Sequence, residues 1–225
     1  MAFSRSRLGP TSVLAGSATF GALAALITLA APPAIQPPFP ILYYLKFDVA
    51  EVVDISAFMI FGPLAGLLTA ILHGTILTVA PGSGGPFGPS LKFLAVVSSY
   101  LGMYLASKLG RHSLFRTGLL MTGLSLLTRT LLMTLVNYLY IVFFAQLVFG
   151  IDYSSFGGFV LGQAGINVTG ANLILYLLGL TALYNAVHIV FSLVVSLFLV
   201  RILLNRAPNL LQSKAWITSL IGSLR

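Results

Sequence analysis

The sequence predicts an all-α integral membrane protein, a six-transmembrane-helix bundle that forms a single domain over residues 1–225. Of its 225 residues, 58% are hydrophobic and only 7% are charged, whereas a soluble domain carries roughly 25% charged residues. Several apolar stretches are long enough to cross a hydrocarbon core, which takes ~20 apolar residues. The charged residues fall almost wholly between these stretches, so short loops hold them rather than a water-facing surface.

The first predicted helix covers about 11–31. It is too long for a cleaved signal peptide, and a proline-rich stretch follows it rather than a small-residue cleavage site. Five prolines in the nine residues 32–40 exclude a helix there and predict an extended loop.

The next apolar stretch is interrupted at Gly62-Pro63, where proline removes a backbone donor and clashes with the preceding turn. If that stretch is one helix, the chain crosses the membrane five times. If it splits into helices over 50–61 and 64–80, the chain crosses six times.

The charge distribution favours six crossings. With six, both termini and the basic loop 108–116 share one side of the membrane, and that side holds no acidic residue. Basic residues concentrate in cytoplasmic loops, so the sequence predicts a multi-pass protein of the plasma membrane with both termini in the cytoplasm. The residues predicted on the cytoplasmic side are Arg5, Arg7, Lys108, Arg111, Arg116, Arg201, Arg206, Lys214 and Arg225. Those predicted on the outer side are Lys46, Asp48, Glu51, Asp54, Lys92 and Asp152.

Three further helices complete the prediction, separated by a Gly-Pro linker and a polar, Gly-rich loop. At 1.5 Å per residue, the last helix would extend ~50 Å, beyond a ~30 Å hydrocarbon core. We therefore expect its first dozen residues to lie at the outer surface, with a separate short helix as one option, and the crossing to start near Tyr184. The segments are the linker 81–89, helix 90–107, helix 116–149, loop 150–170, helix 171–204 and a cytoplasmic tail 205–225.

No motif of a catalytic or metal site occurs in the sequence. The chain has no cysteine, which excludes disulfides, thiol catalysis and thiolate ligands. His73, His112 and His188 lack a ligand spacing such as H-E-x-x-H and have no acidic residue near them in the chain. The glycine-rich run 82–88 lacks the lysine of a P-loop, so a transporter with this sequence would take its energy from an ion gradient or from a separate ATPase partner. The net charge of +8 reflects topology rather than nucleic-acid binding, because no basic face with interleaved aromatics lies outside the helices.

Arg129 is the strongly charged residue that the sequence places in a helix interior, about 13 residues into the helix 116–149. The acidic residues are assigned to the loops, which argues against ion coupling because coupled transporters keep carboxylates inside the membrane. Two alternatives are open for Arg129. It snorkels or pairs with a carbonyl, or it binds an anionic group of a substrate.

Three polar segments are predicted to meet in the outer half of the bundle and to form a small-molecule pocket. Asn185 and His188 share a helix face because they are three residues apart. Asparagine presents a donor and an acceptor, which suits the edge of a heteroaromatic ring, and neighbouring aromatic rings offer stacking surfaces. The alternative for each asparagine is an interhelical hydrogen bond. The candidate residues are Leu45, Lys46, Phe47, Asp48, Asn137, Tyr138, Tyr184, Asn185 and His188.

A stripe of small residues follows one side of the first helix, and such stripes permit close helix approach. Two interpretations are open: packing within the bundle, or a docking face for another membrane subunit. The stripe consists of Ser17, Ala18, Gly21, Ala22 and Ala25.

Four segments resemble a known family, the substrate-binding S components of energy-coupling factor (ECF) vitamin transporters, in its riboflavin-binding branch. Leu45-Lys46-Phe47-Asp48 and Ile60-Phe61-Gly62-Pro63-Leu64-Ala65-Gly66 are similar to the first external loop and the helices after it. Met133-Thr134-Leu135-Val136-Asn137-Tyr138 is similar to the helix 5 motif. Tyr184-Asn185-Ala186-Val187-His188 is similar to the helix 6 motif, with histidine where the family has lysine.

The resemblance implies a non-catalytic subunit that binds riboflavin or a close flavin from outside as a transported ligand, without a cofactor. It implies partners as well, namely a transmembrane coupling subunit and two ATPase subunits, with Ala18 and Ala22 in the docking contact. Two alternatives stay open: an S component for another vitamin, and a solitary secondary transporter or membrane assembly factor.

The resemblance also assigns roles within the pocket. Asn137 and Asn185 would hydrogen-bond the flavin, and His188 would occupy the lysine position of the family. Lys46 and Asp48 would order the loop that closes the pocket.

Overall fold

The computed structural model describes residues 8–80, 86–110, 112–208 and 214–223, and most of them are helical. The elements are α1 (Pro10–Ala30), α2 (Ala50–Phe61), α3 (Pro63–Val79), α4 (Phe87–Ser107), β1 (His112–Ser113), α5 (Leu114–Leu139), a π-helical turn (Tyr140–Phe144), α6 (Ala145–Phe149), α7 (Tyr153–Gln163), α8 (Ala171–Arg206), a 3-10 turn (Trp216–Ser219) and β2 (Ile221–Ser223). Arg5, Arg7, Arg111, Arg225 and residues 81–85 of the predicted linker lie outside the described residues.

The predicted break between the second and third helices is observed at Gly62. This glycine adopts φ 98° and ψ 179°, a backbone region that is essentially restricted to glycine. Pro63 follows as the first residue of α3, where its missing N–H costs no helical hydrogen bond. The chain therefore reverses within two residues, and α3 begins one residue earlier than predicted.

Successive long helices alternate in direction. Gly16 of α1 lies against Phe61 at the end of α2, whereas Thr28 near the end of α1 bonds Asp48 just before α2 begins. Helix α1 runs parallel to α3 in turn, since Ser17 bonds the Ala65 carbonyl and Thr28 contacts His73.

The same alternation relates α4, α5 and α8. The Ser99 carbonyl of α4 accepts from Ser125 of α5, and Gly118 and Arg129 of α5 contact Leu197 and Asn185 of α8, respectively. Helices α1, α3 and α5 thus end where α2, α4 and α8 begin, and we call this the polar end of the bundle. The opposite end, where the basic loops lie, is the basic end.

Helix α2 lies inside the bundle, which explains its short length. Ten of its 12 residues are buried, so α2 lies in the interior of the bundle rather than at a lipid surface. It therefore does not need to match the bilayer thickness. Four described segments are long and apolar enough to cross a membrane, and α3 is a shorter apolar helix of 17 residues. The four segments are Pro10–Ala30, Phe87–Ser107, Leu114–Val148 and Ala171–Arg206.

The small-residue stripe of α1 divides between two faces. Ser17, Gly21 and Ala25 are buried, and a Cβ on Gly21 would lie 3.1 Å from the Thr69 carbonyl oxygen of α3. Ala18 and Ala22 instead lie on the exposed face. Packing within the bundle therefore accounts for one part of the stripe and leaves the Ala18/Ala22 part exposed.

Among the expectations for the second half of the chain, the loop over 150–170 was wrong. The helix predicted over 116–149 is observed as one helical segment made of α5, the π-helical turn and α6. The loop predicted over 150–170 contains α7, which begins because the Asp152 side chain accepts from the Ser155 amide at 2.8 Å. Helix α8 is continuous over 36 residues and covers the predicted helix 171–204, so the option of a separate short helix at its start is not observed.

Part of the predicted tail packs back onto the basic end. The Trp216 side chain is buried and lies edge-on to Phe58, with ring centroids 5.1 Å apart. A Cβ on Gly62 would lie 3.2 Å from the Trp216 ring, so the tail closes directly over the α2–α3 break. Strand β2 pairs in parallel with β1, which holds the segment 214–223 in place.

Candidate functional site

Three carboxylates lie buried at the polar end, at the start of α2. Asp48, Glu51 and Asp54 follow one another at intervals of three residues, so they share one side of the helix. Their exposed fractions are 8%, 1% and 0%. The assignment of the acidic residues to loops was therefore wrong for Glu51 and Asp54, which belong to α2. A buried carboxylate needs a partner, and each of the three has one.

Arg129 of α5 is the partner of Glu51. Its guanidinium Nη1 donates to the Glu51 carboxylate, and its Nε donates to Asn185 Oδ1 at 3.0 Å. Nη1 also lies 3.4 Å from Ser99 Oγ, and Nη2 lies 3.3 Å from His188 Nδ1. Arg129 is 1% exposed, so it does not snorkel; it pairs with the side-chain carbonyl of Asn185 and with the Glu51 carboxylate. The planar guanidinium joins α2, α4, α5 and α8 through a charge-assisted network.

Lys92 of α4 is the partner of Asp48. Its ammonium donates to Asp48 Oδ2 and to Thr28 Oγ1, and the Thr28 hydroxyl lies 2.8 Å from the same carboxylate oxygen. Asp48 Oδ1 accepts from the Ala50 amide at 2.8 Å. Burial acts to raise the pKa of Asp48, but the Lys92 charge and these hydrogen bonds outweigh it and hold the pKa below its ordinary value of 3.8. Asp48 is therefore ionised at neutral pH.

His73 of α3 is the partner of Asp54. His73 Nδ1 lies 2.8 Å from Asp54 Oδ2, and His73 Nε2 lies 3.0 Å from Thr28 Oγ1. Asp54 Oδ1 has no hydrogen-bond partner among the described residues. The Tyr100 hydroxyl donates to the Asp54 backbone carbonyl at 2.9 Å. Thr28 thus connects the Asp54–His73 pair to the Asp48–Lys92 pair.

The loop 31–49 closes over this polar network. It folds back on itself through the Phe39 amide and the Leu45 carbonyl, 2.7 Å apart. The Asp48 amide lies 3.2 Å from His188 Nε2, and the Tyr184 hydroxyl donates to the Lys46 carbonyl at 2.5 Å. Two residues of α8 therefore hold the loop by its backbone.

Aromatic rings fill the space between the loop and α8. The Phe47 ring lies 5.2 Å from the Tyr184 ring and 5.6 Å from the His188 ring, and Phe39 lies 5.8 Å from Tyr184. Leu42 is fully buried beside them. We call the cluster of Phe39, Leu42, Phe47 and Tyr184 the aromatic cap. Helix α7 packs against the same part of α8, where a Cβ on Gly157 would lie 2.8 Å from Leu177.

The structure brings together Phe47, Asp48, Tyr184, Asn185 and His188 from the predicted pocket. Leu45 packs half-buried against the aromatic cap, and the Lys46 side chain is exposed while its carbonyl takes part in the loop closure.

The two predicted residues of α5 lie apart from this group. Asn137 is buried two turns beyond Arg129, and its amide donates to the Met133 carbonyl of its own helix at 2.7 Å. Tyr138 is 37% exposed and contacts Phe143 with ring centroids 6.2 Å apart. Their role in ligand binding stays a prediction.

Sequence reasoning missed the partners of the acidic residues. His73 is 19 residues from Asp54, Lys92 is 44 from Asp48, and Arg129 is 78 from Glu51. Only the packing of separate helices brings them together. The signal that the sequence offered was the three-residue spacing of Asp48, Glu51 and Asp54. This spacing places the three carboxylates on one helix face if these residues belong to the start of a helix rather than to a solvated loop.

Comparison with known proteins bears on the fold. A solved structure of the S component of a bacterial ECF transporter superposes with a TM-score of 0.58 at 24% sequence identity. The match covers 88% of this chain and 98% of that one. No protein-family model matches the sequence, and no curated protein matches it. The chain therefore has the fold of an ECF S component, an all-α integral membrane bundle.

Proposed function

We propose that this protein is the substrate-binding subunit of an ECF-type importer in the plasma membrane. It captures riboflavin or a close flavin from outside and is itself non-catalytic. A transmembrane coupling subunit and two ATPase subunits drive the uptake. With this orientation, both termini and the basic end face the cytoplasm, and the polar end faces outward.

The observation that carries the proposal is the closure of the loop 31–49 onto α8. The S-component fold supplies the framework for this closure. Tyr184 and His188 hold the loop, and both belong to the segment 184–188 that resembles the helix 6 motif of the riboflavin-binding branch. A loop tied by a few hydrogen bonds and ring contacts above buried polar groups is suited to open for a planar aromatic ligand and close over it.

The polar side chains of the site already satisfy one another, which constrains how a flavin binds. Asn185 donates to the Thr181 carbonyl at 2.9 Å and accepts from Arg129. A flavin that hydrogen-bonds Asn185 must replace one of these two bonds. The Asn137 amide bonds a carbonyl of its own helix, so turning it toward a ligand costs less free energy. The proposed flavin contacts are Leu45, Lys46, Phe47, Asp48, Asn137, Tyr138, Tyr184, Asn185 and His188.

Riboflavin fluorescence tests the ligand directly. We expect the purified protein to quench riboflavin fluorescence at micromolar concentrations and to retain yellow ligand from cells. Asn137→Ala should weaken binding about fivefold, or ~1 kcal/mol, because a buried polar group of the flavin loses its partner. Thr134→Ala is the matched control, since Thr134 also bonds its own helix, at the Thr130 carbonyl. An absence of micromolar binding by the unmodified protein rules out the flavin assignment.

The coupling subunit is proposed to dock on the exposed part of the α1 stripe. Ala18 and Ala22 lie exposed on a helix whose buried face already packs on α3. Ala22→Leu should leave riboflavin quenching unchanged and abolish co-purification with a coupling subunit, because small residues permit close helix approach. Ala30→Leu, at the exposed end of the same helix, is the control. Equal co-purification of both variants argues against this docking face.

A second candidate function is solitary, ion-coupled transport. The observation in its favour is the burial of Asp48, Glu51 and Asp54 beside basic partners, because intramembrane ionisable groups mark ion pathways. Reconstituted protein without partners separates the two functions. Uptake driven by an imposed pH gradient supports the solitary transporter, and uptake only with ATP and the partner subunits supports the importer.

A further inference from the structure

The hydrogen bonds of the Thr28 hydroxyl determine which of its neighbours carry protons. Its oxygen lies 2.8 Å from Asp48 Oδ2, 2.8 Å from Lys92 Nζ and 3.0 Å from His73 Nε2. A hydroxyl has one proton to donate and two sites that accept. Lys92 can only donate, and ionised Asp48 can only accept. Thr28 therefore donates to Asp48 and accepts from Lys92, so its remaining contact requires a proton on His73 Nε2.

A proton on Nε2 in turn fixes the contact between His73 and Asp54. His73 Nδ1 and Asp54 Oδ2 are 2.8 Å apart, a distance that needs a proton between them because two lone pairs would repel. Either His73 is an imidazolium beside a carboxylate, or Asp54 is a carboxylic acid that donates to neutral His73. In both arrangements, the pair holds two protons in total and has no net charge. The unpartnered Asp54 Oδ1 accords with a neutral pair, because a full carboxylate charge there would be poorly solvated.

We propose that Asp54 and His73 form a proton-binding site inside the bundle, whose proton is coupled through the Thr28 hydroxyl to Asp48 and so to the loop 31–49. This inference does not depend on the identity of the transported ligand.

The coupling follows from what happens when the pair loses one proton to water. The proton left on the imidazole stays on Nδ1, where it bonds the Asp54 carboxylate, and Nε2 becomes an acceptor. The Thr28 hydroxyl then turns from Asp48 to His73 Nε2. Asp48 keeps Lys92 and the Ala50 amide but loses one of its hydrogen bonds. The loop 31–49, which Asp48 anchors, is thereby loosened, and the charge of the pair changes from 0 to −1.

The other charged groups around the pair are already compensated. Glu51 is bound by Arg129, Asp48 is bound by Lys92, and His188 lies between Arg129 and the Asp48 backbone. Tyr100 faces the pair from α4 through the Asp54 carbonyl. Among these facing groups, the Asp54–His73 pair is the one that can lose a proton and keep both of its hydrogen bonds. His73 Nδ1 still donates to Asp54, and His73 Nε2 then accepts from the Thr28 hydroxyl. The proton therefore binds at this pair rather than at its neighbours.

Nitrogen NMR of histidine tests the site itself. The chain has three histidines, so ¹⁵N-histidine labelling of the full protein in nanodiscs gives signals that single His→Gln variants assign. In spectra recorded between about pH 5 and 8, we expect His73 to carry a proton on Nε2 at neutral pH, and we expect Nε2 rather than Nδ1 to lose its proton when the site deprotonates. The His112→Gln variant, at the basic end, should leave this titration unchanged. A His73 that is unprotonated on Nε2 throughout the range overturns the proposal.

A spin label on the loop tests the coupling. Because the chain has no cysteine, Tyr43→Cys gives a single labelling site on an exposed loop residue. We expect the mobility of the label to rise over the same pH range in which His73 loses its Nε2 proton. Thr28→Val should abolish this rise while the Nδ1 proton of His73 stays in place. Thr78→Val, which removes an exposed hydroxyl of α3, should not change it.

A third substitution guards against a variant that fails to fold. Thr28→Ser keeps the hydroxyl and should retain the pH response of the label, whether or not Thr28→Val is stable. A response that persists unchanged in Thr28→Val, or one that disappears in Thr28→Ser when that variant is folded, overturns the coupling.

Discussion

The two ends of the helix bundle use charge in opposite ways. At the polar end, Asp48, Glu51 and Asp54 are buried and each is bound to a basic side chain of another helix. At the basic end, the described basic residues are exposed, and no acidic residue lies among the described residues there. These exposed residues are Lys108, Arg116, Arg201, Arg206 and Lys214.

This difference separates two roles of charge in one small protein. Buried pairs between helices fix how the helices meet, because an unpaired ion in the interior is very costly. The exposed basic residues contribute mainly to topology, and Lys108 also lies over the Tyr104 ring, 4.6 Å from its centroid. Substitutions at the two ends should therefore have effects of very different size.

Arg129→Met should be the most damaging substitution at the polar end. It leaves Glu51 buried without its partner, and the loss of one member of a buried pair costs about 3–5 kcal/mol of unfolding free energy. Thermal or denaturant unfolding in detergent measures the change. The double variant Arg129→Met with Glu51→Met removes both charges and should recover most of the loss. If the single and double variants are equally unstable, the pair is not what joins the helices.

Gly62→Ala tests the basic end, where backbone geometry rather than charge holds the structure. Gly62 has φ 98°, and an added Cβ would lie 3.2 Å from Trp216. We expect a loss of about 1–3 kcal/mol, the range for a residue forced into a glycine-only region. Gly74→Ala in α3 is the control, because its Cβ would meet Phe93 at an ordinary 3.7 Å. Similar unfolding midpoints for the two variants would contradict a strained turn at Gly62.

Lys92→Met should change the pH dependence of the loop 31–49 without unfolding the bundle. The pKa of Asp48 is held below its ordinary value of 3.8 in the folded protein. The contribution of ionised Asp48 to loop closure is therefore present above this ordinary pKa, and it is lost as the pH falls through the lower pKa of the folded protein. Without Lys92, burial raises the pKa of Asp48, and the loop should open at a higher pH. The mobility of a label at Tyr43 measures the midpoint.

Lys46→Met is the control for this experiment, since the Lys46 side chain is exposed in the same loop. Its midpoint should stay at the unmodified value. A shift as large as that of Lys92→Met would show that net charge rather than the specific pair controls the loop.

Arg201→Gln together with Arg206→Gln should have the smallest effect. Both side chains are exposed at the basic end, and surface substitutions of this kind change the unfolding free energy by within about 0.5 kcal/mol. The same unfolding assay measures it. A loss as large as that of Arg129→Met would erase the distinction between the two ends.

The fold could be predicted from the sequence because its signals are local. Hydrophobic length and the break at Gly62-Pro63 each act within a few turns of chain, and the separation of basic from acidic residues follows from which loop holds each charge. The loop and α8 residues of the site were predicted for a similar reason, because Asn185 and His188 lie on one helix face. Phe47 and Asp48 belong to a loop that has to lie near them at the same end.

The ionic core could not be predicted in the same way. Glu51 and Asp54 stand next to a proline-rich loop, where acidic residues are normally solvated, and only the burial of α2 makes them internal. The partners Lys92, His73 and Arg129 come from three further helices whose rotation about their axes the sequence does not specify. Helix α7 was missed for a smaller reason, because its Gly-rich sequence resembles a loop and its start depends on the Asp152 side chain.

The enclosed position of α2 has a consequence for how the protein is made. An isolated α2 would carry Glu51 and Asp54 into lipid, and a carboxylate at the centre of a membrane helix costs about 2.5–3.5 kcal/mol. Its counter-charges belong to α3, α4 and α5, which leave the ribosome after it. Insertion of α2 should therefore be completed only once those later helices are in the bilayer. The step that ends biogenesis is then the pairing of charges around α2 rather than the entry of the last apolar segment.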